Sequence, residues 1–212
     1  MPSMLTAVTV SDLLHQLGDI PPERVRLQPT LGTATEADVV AVHDREKRLC
    51  ELVDGVLVEK TMGYYESYLA ATLIRLLGNF VVAHDLGIVA GADGMMRLAP
   101  GLVRIPDVSF VSWEKLPGRR LPRQAIPDLV PDLAVEVLSE GNTLREMARK
   151  LDEYFSLGVR LVWLVNPMTE STAVYTSRNQ STVLDKSATL EGGMILPDFT
   201  LPLSALFPAS PL

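Results

Sequence analysis

Two apolar runs, Leu133–Leu138 and Val159–Val165, stand on either side of a stretch in which Leu144, Met147, Leu151, Tyr154 and Phe155 recur at helical spacing before Gly158 closes the pattern. Strand, helix, strand in that order specifies an α/β domain, a sheet flanked by helices. The second run is almost wholly apolar, which predicts a strand in the interior of the sheet. The first contains one charge, Glu136. A carboxylate among such neighbours costs several kcal/mol unless it is paired or bound to a metal. Alternation toward a solvated face, or pairing with a structural Arg, explains this residue alone equally well.

Upstream, Arg48–Val53 and Val56–Lys60 flank Asp54-Gly55, a dipeptide suited to the positive φ angles of a type I′ turn, so the segment predicts a β-hairpin. Tyr64–Val82 places Tyr65, Leu69, Leu73, Leu76, Leu77 and Phe80 at helical spacing, an amphipathic helix packed on a sheet. Short strands are expected at Ile88-Val89, Met95–Leu98 and Asp107–Ser112, a turn at Gly91–Gly94, a closing meander at Thr172–Thr176 and Thr182–Leu184, and a last helical turn at Leu203–Leu206. Residues 1–45 are expected to form an N-terminal extension, with a short helix from Ser11 or Asp12 that Pro21-Pro22 stops, and residues 46–212 the domain proper.

At 47% hydrophobic and 21% charged over 212 residues, the composition is that of one globular domain, and it excludes disorder and small disulfide scaffolds. The net charge of -7 repels phosphate backbones over the surface as a whole and argues against a general nucleic-acid coat protein. A nuclease with a carboxylate-rich pocket and a local basic rim remains compatible with that total. The single Cys50 fits a reducing compartment, Met1–Val10 lacks a signal-peptide pattern, and no window reaches ~18 uninterrupted apolar residues. The chain therefore reads as soluble, cytoplasmic and without membrane association.

Asp107 opens the strand that follows Ile105-Pro106, and two adjacent strands can present Asp107 and Glu136 to one point. Two converging carboxylates suit Mg²⁺ or Mn²⁺. Pro127-Asp128 and Pro131-Asp132 are expected only to mark turns. Lys150, on the following helix, is a candidate cation, although its spacing from Glu146 equally describes an exposed i,i+4 pair worth ~0.3–0.5 kcal/mol. On spacing alone the exposed pair is the better account. The loop Trp113–Arg123 is Pro- and Gly-containing and basic; Lys115, Arg119, Arg120 and Arg123 are its candidate phosphate contacts. His15, His43 and His84 share no metal-ligand spacing, Cys50 has no CxxC partner, and Ser139 lacks a nucleophile elbow and is assigned to capping or a backbone contact.

Five segments, Cys50–Glu59, Pro106–Val111, Pro131–Ser139, Lys150–Tyr154 and Gly158–Pro167, stand in the order expected for the Uma-two family of restriction-endonuclease-like proteins. This resemblance covers roughly Leu49–Leu206. The family is similar to the PD-(D/E)XK nuclease superfamily, and the resemblance implies a restriction-endonuclease-like mixed β-sheet flanked by helices. It also implies Asp107 and Glu136 as catalytic, metal-holding acids. The Lys expected two positions after Glu136 is replaced by Leu138, and the resemblance puts Lys150 in its role. Glu51 resembles a further acidic position, with Glu66 a weaker rival. Departures stand at Asn166, where the family often has Asp, and at Arg145, where an acid is common. The implied activity is Mg²⁺-dependent hydrolysis of DNA, duplex more than RNA; a homodimer is expected besides, since it would bring two centres to two strands, and Lys150→Ala is expected to slow cutting by ~10² while lowering stability by no more than ~1 kcal/mol. The alternative is a catalytically inactive nuclease-fold module with a DNA-binding or regulatory role.

Overall fold

The computed structural model describes residues 7–207, so the reading of Met1–Val10 falls mostly outside the described residues, as do residues 208–212. In chain order the elements are α1 (Val10–Leu17), α2 (Glu36–Glu46), β1 (Cys50–Val53), β2 (Val56–Glu59), α3 (Tyr64–Ala83), β3 (Gly87–Ala90), β4 (Met96–Ala99), β5 (Leu102–Arg104), β6 (Val108–Ser112), β7 (Leu133–Val137), α4 (Leu144–Ser156), β8 (Leu161–Asn166), β9 (Ser171–Ser177), β10 (Gln180–Leu184), β11 (Thr189–Glu191), β12 (Thr200–Pro202) and α5 (Leu203–Leu206). They build a six-stranded sheet of order β10-β9-β8-β7-β6-β3, a four-stranded sheet β2-β1-β5-β4 and a small β11-β12 pair.

Within the large sheet β7 and β8 run parallel and α4 makes the crossover that parallel neighbours require, whereas β3, β6, β9 and β10 add in antiparallel fashion. The expected interior strand, β8, is flanked on both sides. Strand alternation splits this sheet into two cores. Leu133, Val135, Val137 and Trp163 pack with Leu69, Leu73 and Leu77 of α3, while Ala134, Val162 and Leu164 pack with Met147, Leu151 and Tyr154 of α4. Each fully buried aliphatic side chain of this kind contributes about 1.5–3 kcal/mol. By length and a mean hydropathy of 1.2, α3 is apolar enough to cross a membrane, yet its Leu69, Leu73, Leu77 and Val81 are buried on the sheet, the position of an ordinary core helix.

The hairpin forms as the sequence predicts, with Asp54 and Gly55 at φ 51° and 72° and Val53 paired to Val56. Gly55 also passes so close to Gly32 that a Cβ there would lie 2.4 Å from the Gly32 carbonyl carbon. Only glycine satisfies both demands.

Residues before 46 are not an appendage. The helix start lies at Thr9, whose hydroxyl accepts from the Asp12 N–H (3.1 Å) while the Asp12 carboxylate accepts from the Thr9 N–H (3.0 Å). Asp12 thus closes a capping box rather than being the cap. The helix ends at Gly18, in the left-handed region at φ 100°, before the prolines are reached. A second capping box, Thr35 with Asp38, starts α2, which the apolar pattern did not reveal. Leu13, Leu17 and Ile20 pack with Val53, Val56 and Val58 of the hairpin. Arg24 then reaches α4 and donates to both Glu146 oxygens at 2.9 and 2.8 Å and to the Gly141 carbonyl at 2.8 Å. Gly18 rests on the same turn, where an added Cβ would fall 2.7 Å from Glu146 Cα. The segment is a clamp on the N-terminus of α4.

Burial works to raise the Glu146 carboxyl, but the Arg24 hydrogen bonds and the Lys150 charge outweigh it and hold the group below its ordinary 4.5. A depressed carboxylate contributes stability that is present above about pH 4.5 and lost as pH falls through the folded value. Arg24→Met should therefore cost about 3–5 kcal/mol at pH 7, because it strands a buried charge. Urea unfolding at pH 7 and at pH 3.5 checks this: the difference between variant and parent should shrink at the lower pH.

Candidate active site

Glu136 sits on the face of β7 that meets α4, among side chains, and is 5% exposed. This excludes the solvated-face account, and its partners are not a structural Arg. Lys150 Nζ donates to Glu136 Oε2 at 3.0 Å, and the Tyr154 hydroxyl, one helical turn on, donates to Oε1 at 2.5 Å. Lys150 is not in an exposed pair with Glu146: it is 3% exposed, and Glu146 is taken by Arg24.

Asp107 arrives from the strand beside β7, as expected. Its N–H donates to the Val135 carbonyl (2.9 Å) and its Oδ2 accepts from the Val137 N–H (2.6 Å), so the two contacts bracket Glu136 along the backbone. Asp107 Oδ1 lies 2.7 Å from Lys60 Nζ. That approach is ionic and misaligned for a hydrogen bond, which leaves this buried oxygen without a hydrogen-bond donor. Lys60 donates instead to the Ile105 carbonyl.

The third acid comes from the other sheet. Glu51 of β1 is 2% exposed, lies 3.2 Å from Lys150 Nζ, and accepts from Arg104 (2.7 Å) and from the Ile105 N–H (3.1 Å). Arg104 continues to Glu153 of α4 at 2.7 Å. Lys150 is therefore shared by two carboxylates on two different sheets.

These contacts set the protonation states. Burial pushes Glu136 up, and the neighbouring Asp107 and Glu51 charges add to it, so that Lys150 offsets the rise only in part. Burial also works to raise Glu51, but Lys150, Arg104 and Lys60 outweigh it and hold that carboxylate well below its usual range. Burial works to lower Lys150, but Glu136 and Glu51 overcome it and keep it an ammonium. Tyr154 is raised by burial and by the Glu136 charge, so it stays protonated and donates.

A cleft of about 590 Å³ adjoins this cluster, lined by Thr61, Leu138, Ser139, Asn142, Met147 and others. Thr61 follows Lys60, and Leu138 lies two residues beyond Glu136. Glu66 lines this cleft and is not part of the buried cluster. Ser139 does not cap α4, a role that Thr143 fills; its N–H donates to Asn142 Oδ1 at 2.9 Å. The basic loop lies at the other end of β6, a five-residue strand, roughly 17 Å from Asp107 at ~3.4 Å per residue. Lys115 there pairs with Asp132 at 3.1 Å, and Arg119 with Asp85, while Arg120 and Arg123 are exposed. Asp132 is more than a turn marker: it is fully buried and also accepts from the Ser112 N–H (2.8 Å) and from Arg160 (2.7 Å). Lys60 and Arg104 were missed in the sequence reading. The available signal was a charge at the end of each apolar run, immediately before the cleft and before Ile105-Pro106-Asp107.

The molecule is thus a mixed α/β domain with acids on adjacent strands and a lysine on the crossover helix buried together. The chain belongs to the Uma2 family, described as "Putative restriction endonuclease", whose match spans residues 20–204. A crystal structure of a nuclease-assigned DUF820 protein from Anabaena variabilis shares the fold, with a TM-score of 0.67 at 18% identity over 76% of this chain and 90% of that one. No curated protein matches the chain.

Because Lys150 neutralises two buried acids, it is not dispensable for stability as the sequence reading held. Lys150→Met should cost about 3–5 kcal/mol, the penalty for stranding a buried charge, and a thermal or urea unfolding series will read it.

Proposed function

We propose that this chain is a Mg²⁺- or Mn²⁺-dependent endonuclease that hydrolyses DNA phosphodiester bonds. The reading rests above all on one observation: Asp107, Glu136 and Lys150 come from a strand, its neighbour and the following helix into one buried cluster beside a cleft. Among the described residues no three His, Cys, Asp or Glu side chains form a ready-made metal cage. The donor chemistry nevertheless fits a hard divalent ion, because Asp107 Oδ1 has no hydrogen-bond donor and stands next to a second carboxylate. Asp107 and Glu136 would hold the ion, with water completing its shell. When bound, it would polarise a phosphoryl oxygen and make a coordinated water more acidic.

The chain's own groups have distinct tasks. Tyr154 and Lys150 fix the two Glu136 oxygens from one side. Lys150 remains charged and offers a fixed positive charge against the negative charge that grows on phosphorus oxygens in the transition state. Glu51 holds Lys150 in place. In the reaction a water oxygen bonds to phosphorus, the bond from phosphorus to the 3′ oxygen breaks, and that oxygen takes a proton. A homodimer would supply two such centres for the two strands of a duplex.

Completeness of the ion pairing favours a second reading, an inactive DNA-binding or regulatory module, since every acid in the cluster already has a cation. Nicking of supercoiled DNA decides. The parent should cut with Mn²⁺ or Mg²⁺ and not with chelator, and Asp107→Asn and Glu136→Gln should abolish cutting. Lys150→Ala, assayed well below its unfolding temperature, should cut at least ~10²-fold more slowly. Cutting in chelator, or at the parent rate in Lys150→Ala, overturns the proposal.

Exposed Arg120 and Arg123 are the phosphate contacts of the basic loop in this reading. Replacing Lys115, Arg119, Arg120 and Arg123 by Ser should then flatten the slope of log affinity against log salt by about 2, at ~0.9 per phosphate, since Lys115 and Arg119 already hold internal carboxylates.

A further inference from the structure

Lys60 is a lysine of the cluster to which the nuclease reading gives no task. Its position is unlike that of Lys150. It terminates the hairpin, directly before Thr61 of the cleft wall, and its side chain is 10% exposed against 4% for Lys150. It stands 2.7 Å from Asp107 Oδ1, the oxygen that has no hydrogen-bond donor. An ammonium at that distance from a carboxylate oxygen neutralises it much as a divalent ion would, and the two cannot share one lone-pair direction.

We propose that Lys60 is an internal counter-ion at the metal position: its ammonium neutralises Asp107 in the metal-free protein, and a divalent ion displaces it toward the cleft. The proposal rests on Asp107 as a metal ligand. Three features support displacement in that direction. The lysine stem is flexible and carries a compact charge, so that the head can move without moving the backbone. The misaligned contact with Asp107 gives up no hydrogen bond when it breaks, and the bond to the Ile105 carbonyl is a single neutral acceptor. The neighbouring cleft, about 590 Å³, has room for the ammonium and for a phosphate group together. Once moved, Lys60 would be a substrate-facing cation, whereas Lys150 stays locked between Glu136 and Glu51. Lys60 thereby acts as a positioning residue, setting the affinity of the site for the ion and coupling the ion's arrival to a positive charge in the cleft.

Two readouts on the full chain test this, neither of them activity. Calorimetric titration with Mn²⁺ should show Lys60→Met binding at least tenfold more tightly than the parent, with Asp107→Asn losing the binding. Circular dichroism confirms folding, and Lys60→Gln, with a smaller neutral head, should repeat the gain. Acetylation with an N-hydroxysuccinimide ester, read by mass spectrometry, should label Lys60 at least threefold faster in Mg²⁺ than in chelator, with Lys150 unchanged. Parent and Lys60→Met binding Mn²⁺ equally, while Asp107→Asn binds none, overturns the counter-ion role and leaves the nuclease reading standing. No Mn²⁺ binding by any form overturns both. A tighter Lys60→Met with Lys60 labelling unaffected by Mg²⁺ reduces the effect to through-space charge and overturns the displacement.

Discussion

The fold is organised around one ammonium. Lys150 projects from α4 between Glu136 on the large sheet and Glu51 on the small one, at 3.0 and 3.2 Å, so three structural units converge on a single positive charge. None of the three groups tolerates burial alone; the desolvation of each is offset by the others, with Arg104 on Glu51 and Tyr154 on Glu136 adding to it. Arg104 extends the arrangement from Glu51 to Glu153 and so returns it to α4. Charge thus links the two sheets beside the apolar cluster in which Met96 and Leu98 of the small sheet pack with Ala134 of the large one.

Most of what a single strand or helix dictates was legible in the sequence. The apolar strand at Leu133–Val137 and the Asp54-Gly55 turn rest on local pattern within a few residues, and they appear in the structure where expected. The placement of Asp107 beside Glu136 followed from two adjacent strands. Tertiary ion pairing was not legible, because no local pattern records it. Arg24 and Glu146 are 122 residues apart, and without that pair the N-terminal segment reads as an extension and Glu146 reads as Lys150's partner. The cap at Thr9, two residues before the expected Ser11, and the one at Thr35 are set by Asp12 and Asp38 three residues on, a spacing that the apolar pattern does not show. Basic residues in the loop after β6 announced charge without announcing that Asp85 and Asp132 already hold two of them.

Membership of the Uma2 family and the shared architecture with the DUF820 protein give the chain a nuclease-like setting. What the structure adds is a lysine on the crossover helix buried against a carboxylate of the preceding strand. Lys150 reaches Glu136 from α4, one turn before the tyrosine that donates to the same carboxylate. The clamp by Arg24 and Gly18 on the first turn of α4 fixes that helix against sliding, which holds Lys150 at its depth.

The burial of the cluster has a temporal consequence. Glu51, Asp107, Glu136 and Lys150 are each at most 5% exposed. A hydrated solute reaches such buried oxygens only when packed side chains move aside, and openings of packed segments take microseconds or longer. Access to this centre is thus clocked by the protein's own breathing.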